Sequence, residues 1–150
     1  MYFEAASKNI DEVIRVIDSI SDNTMFDCVR VDLFRHAVAA VHSIVDYTVR
    51  IEAKLSAEDE NIIHAINYVN NQIKHDRLLE IFYYEVAGDT YPMFYPMCYG
   101  SPSVYWNDFP DHSDRRSKST RKHYEEYLMN RDVETTLLTI KGIIEKYRFT

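Results

Sequence analysis

The feature that most constrains this chain is an unbroken stripe of core-type residues at spacings of three and four between positions 34 and 55. Its members are Phe34, Val38, Val41, Ile44, Val45, Thr48, Ile51 and Leu55. Because an α-helix has 3.6 residues per turn, side chains at these spacings share one face. The stripe predicts one helix of about six turns, which must bury that face against other parts of the protein.

Further stripes of the same kind predict four more helices. The first runs from Ile10 to Ile20 and is ended by Ser21-Asp22-Asn23, and the second contains Ile62, Ile66, Val69 and Ile73 and reaches about His75 or Arg77. The third contains Tyr124, Tyr127 and Leu128, and the fourth contains Val133, Leu137, Ile140, Ile143, Ile144 and Tyr147. Helix starts are expected after Asp32, Ser56 and Asp132, whose side-chain oxygens can accept backbone N–H groups. Asp59, three residues after Ser56, resembles half of a capping box. Gly142 is expected at a close contact between helices.

The middle of the chain differs in composition from the helical parts. Residues 82–109 hold half of the aromatic residues, three of the four prolines, and both Gly88 and Gly100. Proline interrupts helices, and the residues from Leu78 to Val86 favour strands. Gly88-Asp89 is a turn signal, and we therefore expect a small β-hairpin or meander followed by an ordered aromatic loop. These aromatic side chains either cover one end of the bundle or form a stacking surface for nucleobases.

The predicted fold class is mainly α, as one domain over residues 1–150. The architecture is an up-and-down helical bundle of about five helices with a β-hairpin and aromatic-loop insert at about 78–112. A chain of 150 residues is long enough to bury a substantial core.

Charge and composition exclude several classes of protein. The formal net charge of −7 argues against nucleic-acid binding over the whole surface, although a local basic site is compatible with it. The two cysteines, Cys28 and Cys98, have no metal-type spacing, and no signal peptide or membrane-spanning run is seen. We expect a cytoplasmic protein with no cofactor, no metal site and no membrane association.

A second stripe on the third predicted helix is unusual for a solvent-facing surface. His64, Tyr68, Asn71 and His75 lie at spacings of four, three and four, opposite the apolar stripe of the same helix. Their polar tips make directional hydrogen bonds, as at binding sites and interfaces, so we expect this face to meet another copy of the chain or the aromatic insert. Three more polar residues, Asn67, Asn70 and Lys74, lie along one flank. The simpler interpretation is that the asparagines cross-link helices and that His75 is an ordinary residue at a helix C-terminus.

A basic run precedes the fourth predicted helix. Residues 115–122 contain five arginines and lysines, among them Arg121 and Lys122, which are binding candidates. The run is either a solvated approach to the helix or a phosphate contact. The six histidines show no short ligand pattern with Cys or carboxylates, so they predict no metal site.

The segment from Asn70 to His75 resembles the signature of the HEPN family of helical bundles. That signature is an Arg, sometimes an Asn, commonly followed by a polar residue, with a His four to six positions after the first residue. Asn70, Asn71 and His75 take these three positions. The resemblance covers roughly residues 30–78.

The resemblance implies a bundle that often dimerises through the signature face and that, in active members, forms a metal-independent ribonuclease site. A histidine can move a proton during attack by a ribose 2′-hydroxyl, and a fixed cation can stabilise charge on the phosphate. Asn70 is neutral and lacks that charge, although Lys74 lies nearby. The candidate catalytic residues are therefore His75, Asn70, Asn71 and Lys74, and the candidate binding residues are His64, Asn67, Tyr68, Arg121 and Lys122.

Three functions follow from these observations. The favoured one is a HEPN-like binding or regulatory module, a homodimer whose ligand is RNA or a partner protein, in a defence setting by family analogy alone. The second is a metal-independent ribonuclease using His75. The third is a structural dimerisation protein with no ligand.

Overall fold

The computed structural model describes residues 2–20, 26–74, 81–86, 102–109 and 118–148. Within them the chain forms five α-helices and two strands, as the sequence predicts. Their bounds are α1 Tyr2–Asp18, α2 Phe26–Ile51, α3 Ala57–Lys74, β1 Phe82–Val86, β2 Pro102–Trp106, α4 Lys118–Tyr127 and α5 Val133–Lys146. A 3₁₀ turn, Glu52–Lys54, separates α2 from α3.

The five helices pack as a bundle. Helix α1 lies against α2 and α5, while α3 lies against α2, α4 and α5. The predicted core stripe of α3 is confirmed, since Ile62, Ile66 and Val69 are buried. On α2 the stripe is confirmed from Val41 to Ile51, but at its N-terminal end the fully buried residue is Leu33 rather than Phe34.

Two of the three predicted helix starts are confirmed. The Ser56 hydroxyl accepts the Asp59 backbone N–H at 3.2 Å, and the Asp132 carboxylate accepts the Glu134 N–H at 3.1 Å. The Asp32 prediction is wrong, because α2 begins at Phe26 and Asp32 lies inside it, 2.7 Å from an Arg35 nitrogen. An aspartate inside a helix can pair with a cation one turn later, as Asp32 does with Arg35. In the sequence, such an aspartate looks the same as one that caps the start of a helix.

The turn between α4 and α5 is built around a left-handed residue. Asn130 has φ 63°, a conformation that asparagine tolerates better than most residues. Gly142, in contrast, does not mark a close helix contact as predicted. A Cβ placed on it would meet no atom within 4 Å.

The strands form an antiparallel pair in which Phe82 lies opposite Trp106 and Tyr84 lies opposite Val104. This confirms a small two-stranded hairpin, but the aromatic segment lies between its two strands in the chain instead of after them. Its β2 strand is attached to the bundle, because the Trp106 indole N–H donates to the Thr136 hydroxyl at 2.7 Å. The Trp106 backbone also accepts the Asn130 N–H at 2.8 Å and donates to the Arg131 carbonyl at 3.1 Å. The predicted turn at Gly88 lies outside the described residues.

Candidate functional site

Helix α3 is buried on two faces, not one. Tyr68, which the sequence places opposite the apolar stripe, has no exposed surface. Its ring lies 5.3 Å from the Tyr124 ring of α4 and 6.0 Å from the Phe109 ring, which follows β2. Around Tyr68, the second face of α3 is therefore covered by α4 and by the end of the insert, whereas Asn71 of the same stripe is exposed.

Arg121 joins these aromatic residues into one cluster, the Arg121 cluster, formed by Tyr68, Phe109, Arg121 and Tyr124. Its guanidinium donates to the Tyr68 hydroxyl at 3.1 Å and to the Phe109 carbonyl at 2.9 Å. It also lies within 6 Å of all three ring centres. Such placement adds a cation–π attraction to the hydrogen bonds.

Two carboxylates complete the surroundings of Arg121. Asp108 accepts from Nη2 at 3.1 Å and Glu125 accepts from Nε at 3.0 Å. Four of the five guanidinium N–H groups thus have partners inside the protein. Burial alone would lower the pKa of Arg121, but the bonds to Tyr68 and Glu125 outweigh it and raise that pKa. The side chain, 15% exposed, is a permanent cation that ties α3, α4 and the end of β2 together.

Tyr124 also links α4 to the segment after β2, as a neutral hydrogen-bond donor. Its hydroxyl donates to the Asn107 carbonyl at 2.6 Å. Burial raises the pKa of Tyr124 far above its ordinary value. The phenol therefore stays protonated and serves packing rather than proton transfer.

His64 lies at the edge of the same face and contacts another histidine. Its ring stacks on His123 of α4, with 5.4 Å between centroids, and its Nε2 lies 3.3 Å from a Glu60 oxygen. The Nδ1 atom of His123 is buried and has no partner in the described part of the protein. Asn67 is half-buried beside a small cavity of about 70 Å³, which His64 and Glu60 also line.

The signature segment splits between the interior and the surface. Asn70 is 6% exposed, and its Oδ1 has no hydrogen-bond partner among the described residues. Asn71 and Lys74 are exposed, as is Lys122 on α4. His75 lies outside the described residues. The structure thus brings His64, Tyr68 and Arg121 together, and separates Asn70 from Asn71 and Lys74.

A groove between α3 and α5 was not predicted from the sequence. It has a volume of about 510 Å³, and its lining includes Ile62 of α3, Ile143 of α5 and Tyr127 of α4. The α5 side carries Thr135 and Thr139, and carboxylates lie along the rim. One sequence signal points to this groove. Asp132, Thr135 and Thr139 form a polar stripe at spacings of three and four, on the same face of α5 as Ile143.

Within the described ranges, no three or more His, Cys, Asp or Glu side chains are grouped to hold a metal ion. Nor does any helix of those ranges combine the length and the apolar character needed to cross a membrane.

Fold and site together define a mainly helical bundle with an attached two-stranded hairpin. Comparison of the chain with protein-family models, curated proteins and solved structures finds no match.

Proposed function

We propose that this protein is a HEPN-like bundle that works as a binding or regulatory module rather than as a ribonuclease. The ligand class that the resemblance implies is RNA or a protein of an RNA-linked system. A second copy of the chain is the proposed partner in a homodimer.

The burial of Asn70 carries this proposal. In the catalytic form of the signature, the first residue supplies charge to a phosphate at the surface. Asn70 is neutral and 94% buried, so its side chain faces the protein interior instead of a substrate. Arg121 cannot supply the missing charge, because most of its N–H groups already bind internal acceptors.

The ribonuclease remains the second candidate, and one observation favours it. Lys74 is an exposed cation directly before His75, and Asn71 is exposed one turn earlier on α3. A lysine can stabilise phosphate charge as a point charge, although without the forked geometry of arginine. His75 would then move the proton.

The test combines cleavage and binding with the purified protein. Single-stranded RNA is incubated with wild type and with His75→Ala in the presence of a metal chelator, and binding is measured by gel shift. We expect no cleavage. We also expect Lys74→Ala to weaken binding severalfold and the matched control Lys8→Ala, at an exposed lysine of α1, to leave it unchanged.

The other outcomes each change the proposal. Cleavage that His75→Ala abolishes would establish the ribonuclease in place of the binding module. Absence of both cleavage and RNA binding would remove RNA as the ligand. A monomer at all concentrations in light scattering would remove the homodimer.

A further inference from the structure

The groove between α3 and α5 has the dimensions of a small-molecule site. Its volume of about 510 Å³ lies within the range of roughly 300–1,000 Å³ that is typical of ligand pockets. It lies at the N-terminal end of α3, whereas Asn71 and Lys74 lie at the other end of that helix. The groove therefore has to be explained separately from the signature segment.

The middle of the groove is apolar. Ile62, which is 8% exposed, and the half-buried Ile143 form its walls, and the Tyr127 side chain closes one side. The Tyr127 hydroxyl accepts a hydrogen bond from Asn61 at 3.2 Å, which holds the phenol in place. A ligand that fills this space needs an apolar body, because these side chains offer mainly van der Waals contact and an aromatic ring.

The threonine hydroxyls of the groove present acceptors rather than donors, whereas the Arg131 guanidinium and the Tyr127 O–H are donors of the lining. The Thr139 hydroxyl donates to the Thr135 carbonyl at 3.0 Å, and the Thr135 hydroxyl donates to an Asp132 oxygen at 2.9 Å. Each hydroxyl has only one proton, and that proton is already donated within the protein. Towards a ligand, each hydroxyl oxygen can therefore only accept a hydrogen bond. A ligand bearing N–H groups matches these two hydroxyls better than one that carries only acceptors.

The charge of the lining is also negative. Glu58, Asp59 and Asp132 are carboxylates, and Arg131 is the one cation among the described residues of the lining. Asp59 is paired with Lys146 at 3.1 Å, and Asp132 caps α5. The carboxylate of Glu58, in the first turn of α3, has no hydrogen bond or ion pair with the described part of the protein. It is the carboxylate that remains open to a ligand.

We propose that this groove binds a small organic cation, an ammonium group carried on an apolar body. The ammonium group pairs with the Glu58 carboxylate, and Thr139 lines the same groove. The apolar body lies between Ile62, Ile143 and Tyr127. An aromatic ring beside a bound cation adds further attraction. This inference goes beyond the proposed function and stands whether or not the protein binds RNA.

The experiment uses three probes with one apolar body and different head groups: 4-phenylbutylamine, 4-phenylbutanol and 4-phenylbutyrate. Binding to the full chain is followed by shifts of backbone amide resonances. We expect the amine to bind most tightly and the carboxylate most weakly. The largest shifts should fall in the first turn of α3 and on α5.

Two variants and one control locate the site. Glu58→Gln should weaken amine binding about three- to fivefold, as expected for an exposed ion pair. The matched control Glu145→Gln, an exposed residue of α5 outside the groove lining, should bind as wild type does. Thr139→Trp should fill the groove and abolish binding. Thr139 is exposed, so the spectrum of this variant should still be that of the folded protein.

Three results would overturn the proposal. They are equal binding of all three probes, binding of none of them at millimolar concentration, and amine binding that survives Thr139→Trp in a folded variant. None of these results bears on RNA binding through Lys74, so failure here and failure of the proposed function are distinguishable.

Discussion

At the scale of single residues, Asn70 is the clearest case of a buried polar group that lowers the stability of the fold. A buried side-chain oxygen without a partner loses its hydrogen bonds to water and gains none in the protein. The Oδ1 of Asn70 is in this position within the described chain. Residues that weaken the fold in this way are expected where function or a partner requires them.

The first prediction follows from that conflict. Asn70→Leu should stabilise the isolated protein by about 1 kcal/mol, because an apolar side chain of similar size removes the unsatisfied oxygen. The measurement is the urea midpoint at constant slope. Asn71→Leu, at the exposed neighbouring position, is the control and should give no such gain. A clear loss of stability in Asn70→Leu would show that the amide has a partner in the folded state.

At the scale of elements, the Arg121 cluster explains why α4 packs on α3. The second face of α3 carries polar-tipped residues, and one guanidinium on α4 binds the Tyr68 hydroxyl, the Phe109 carbonyl and two carboxylates. A partner with several donors in a fixed plane makes burial of that face possible. The packing thus depends on arginine geometry as well as on charge.

The second prediction tests that dependence. Arg121→Lys should destabilise the protein by about 2–3 kcal/mol, because lysine keeps the charge but cannot reach four acceptors that surround a planar fork. Thermal or urea unfolding measures it. The control Lys122→Ala, at the exposed neighbour on α4, should change stability by no more than about 0.5 kcal/mol. Equal effects of the two variants would show that the cluster contributes nothing specific.

How far the sequence predicts these elements depends on the range of the interactions involved. Ser56 and Asp132 were correctly predicted as helix starts because a cap bonds a neighbour in sequence. The polar-tipped stripe predicts that the face of Tyr68 meets a second copy of the chain or the insert, and Tyr68 does pack on Phe109 of the insert. Its hydrogen-bond partner Arg121 could not be predicted, because it is 53 residues away. The groove was missed for a related reason, because it is the space left between two helices.

At the scale of the whole molecule, Asp59 joins parts of the chain that are far apart in sequence. Its carboxylate, at the start of α3, accepts from the Tyr147 hydroxyl at 2.8 Å and from Lys146 at 3.1 Å, both at the end of α5. Burial raises the pKa of Asp59, but the hydrogen bonds from Tyr147, Lys146 and Ser56 outweigh it, so the net shift is downward from 3.8.

The third prediction is a pH dependence with a definite sign. A carboxyl group whose pKa is lower in the folded state stabilises the protein at pH values above its unfolded pKa. That stabilisation is lost as the pH falls through the folded pKa. Asp59→Asn should therefore cost about 1–2 kcal/mol at pH 7 and progressively less below about pH 4. Urea unfolding from pH 7 to 3 measures the difference.

Asp46→Asn is the control for this series, because Asp46 is an exposed aspartate of α2. It should change the free energy of unfolding little at pH 7. A wild-type minus Asp59→Asn difference that stays constant down to pH 3 would contradict the assigned role of Asp59.

The attachment of β2 to α5 also gives the protein an internal optical reporter. Trp106 is the only tryptophan of the chain, is 1% exposed, and is hydrogen-bonded to Thr136 where hairpin and bundle meet. Its fluorescence follows the environment of that junction, whereas far-ultraviolet circular dichroism is dominated by the helices. Coincident unfolding curves from the two signals would mean that hairpin and bundle melt as one cooperative unit. Separate curves would mean that the hairpin detaches while the helices remain folded.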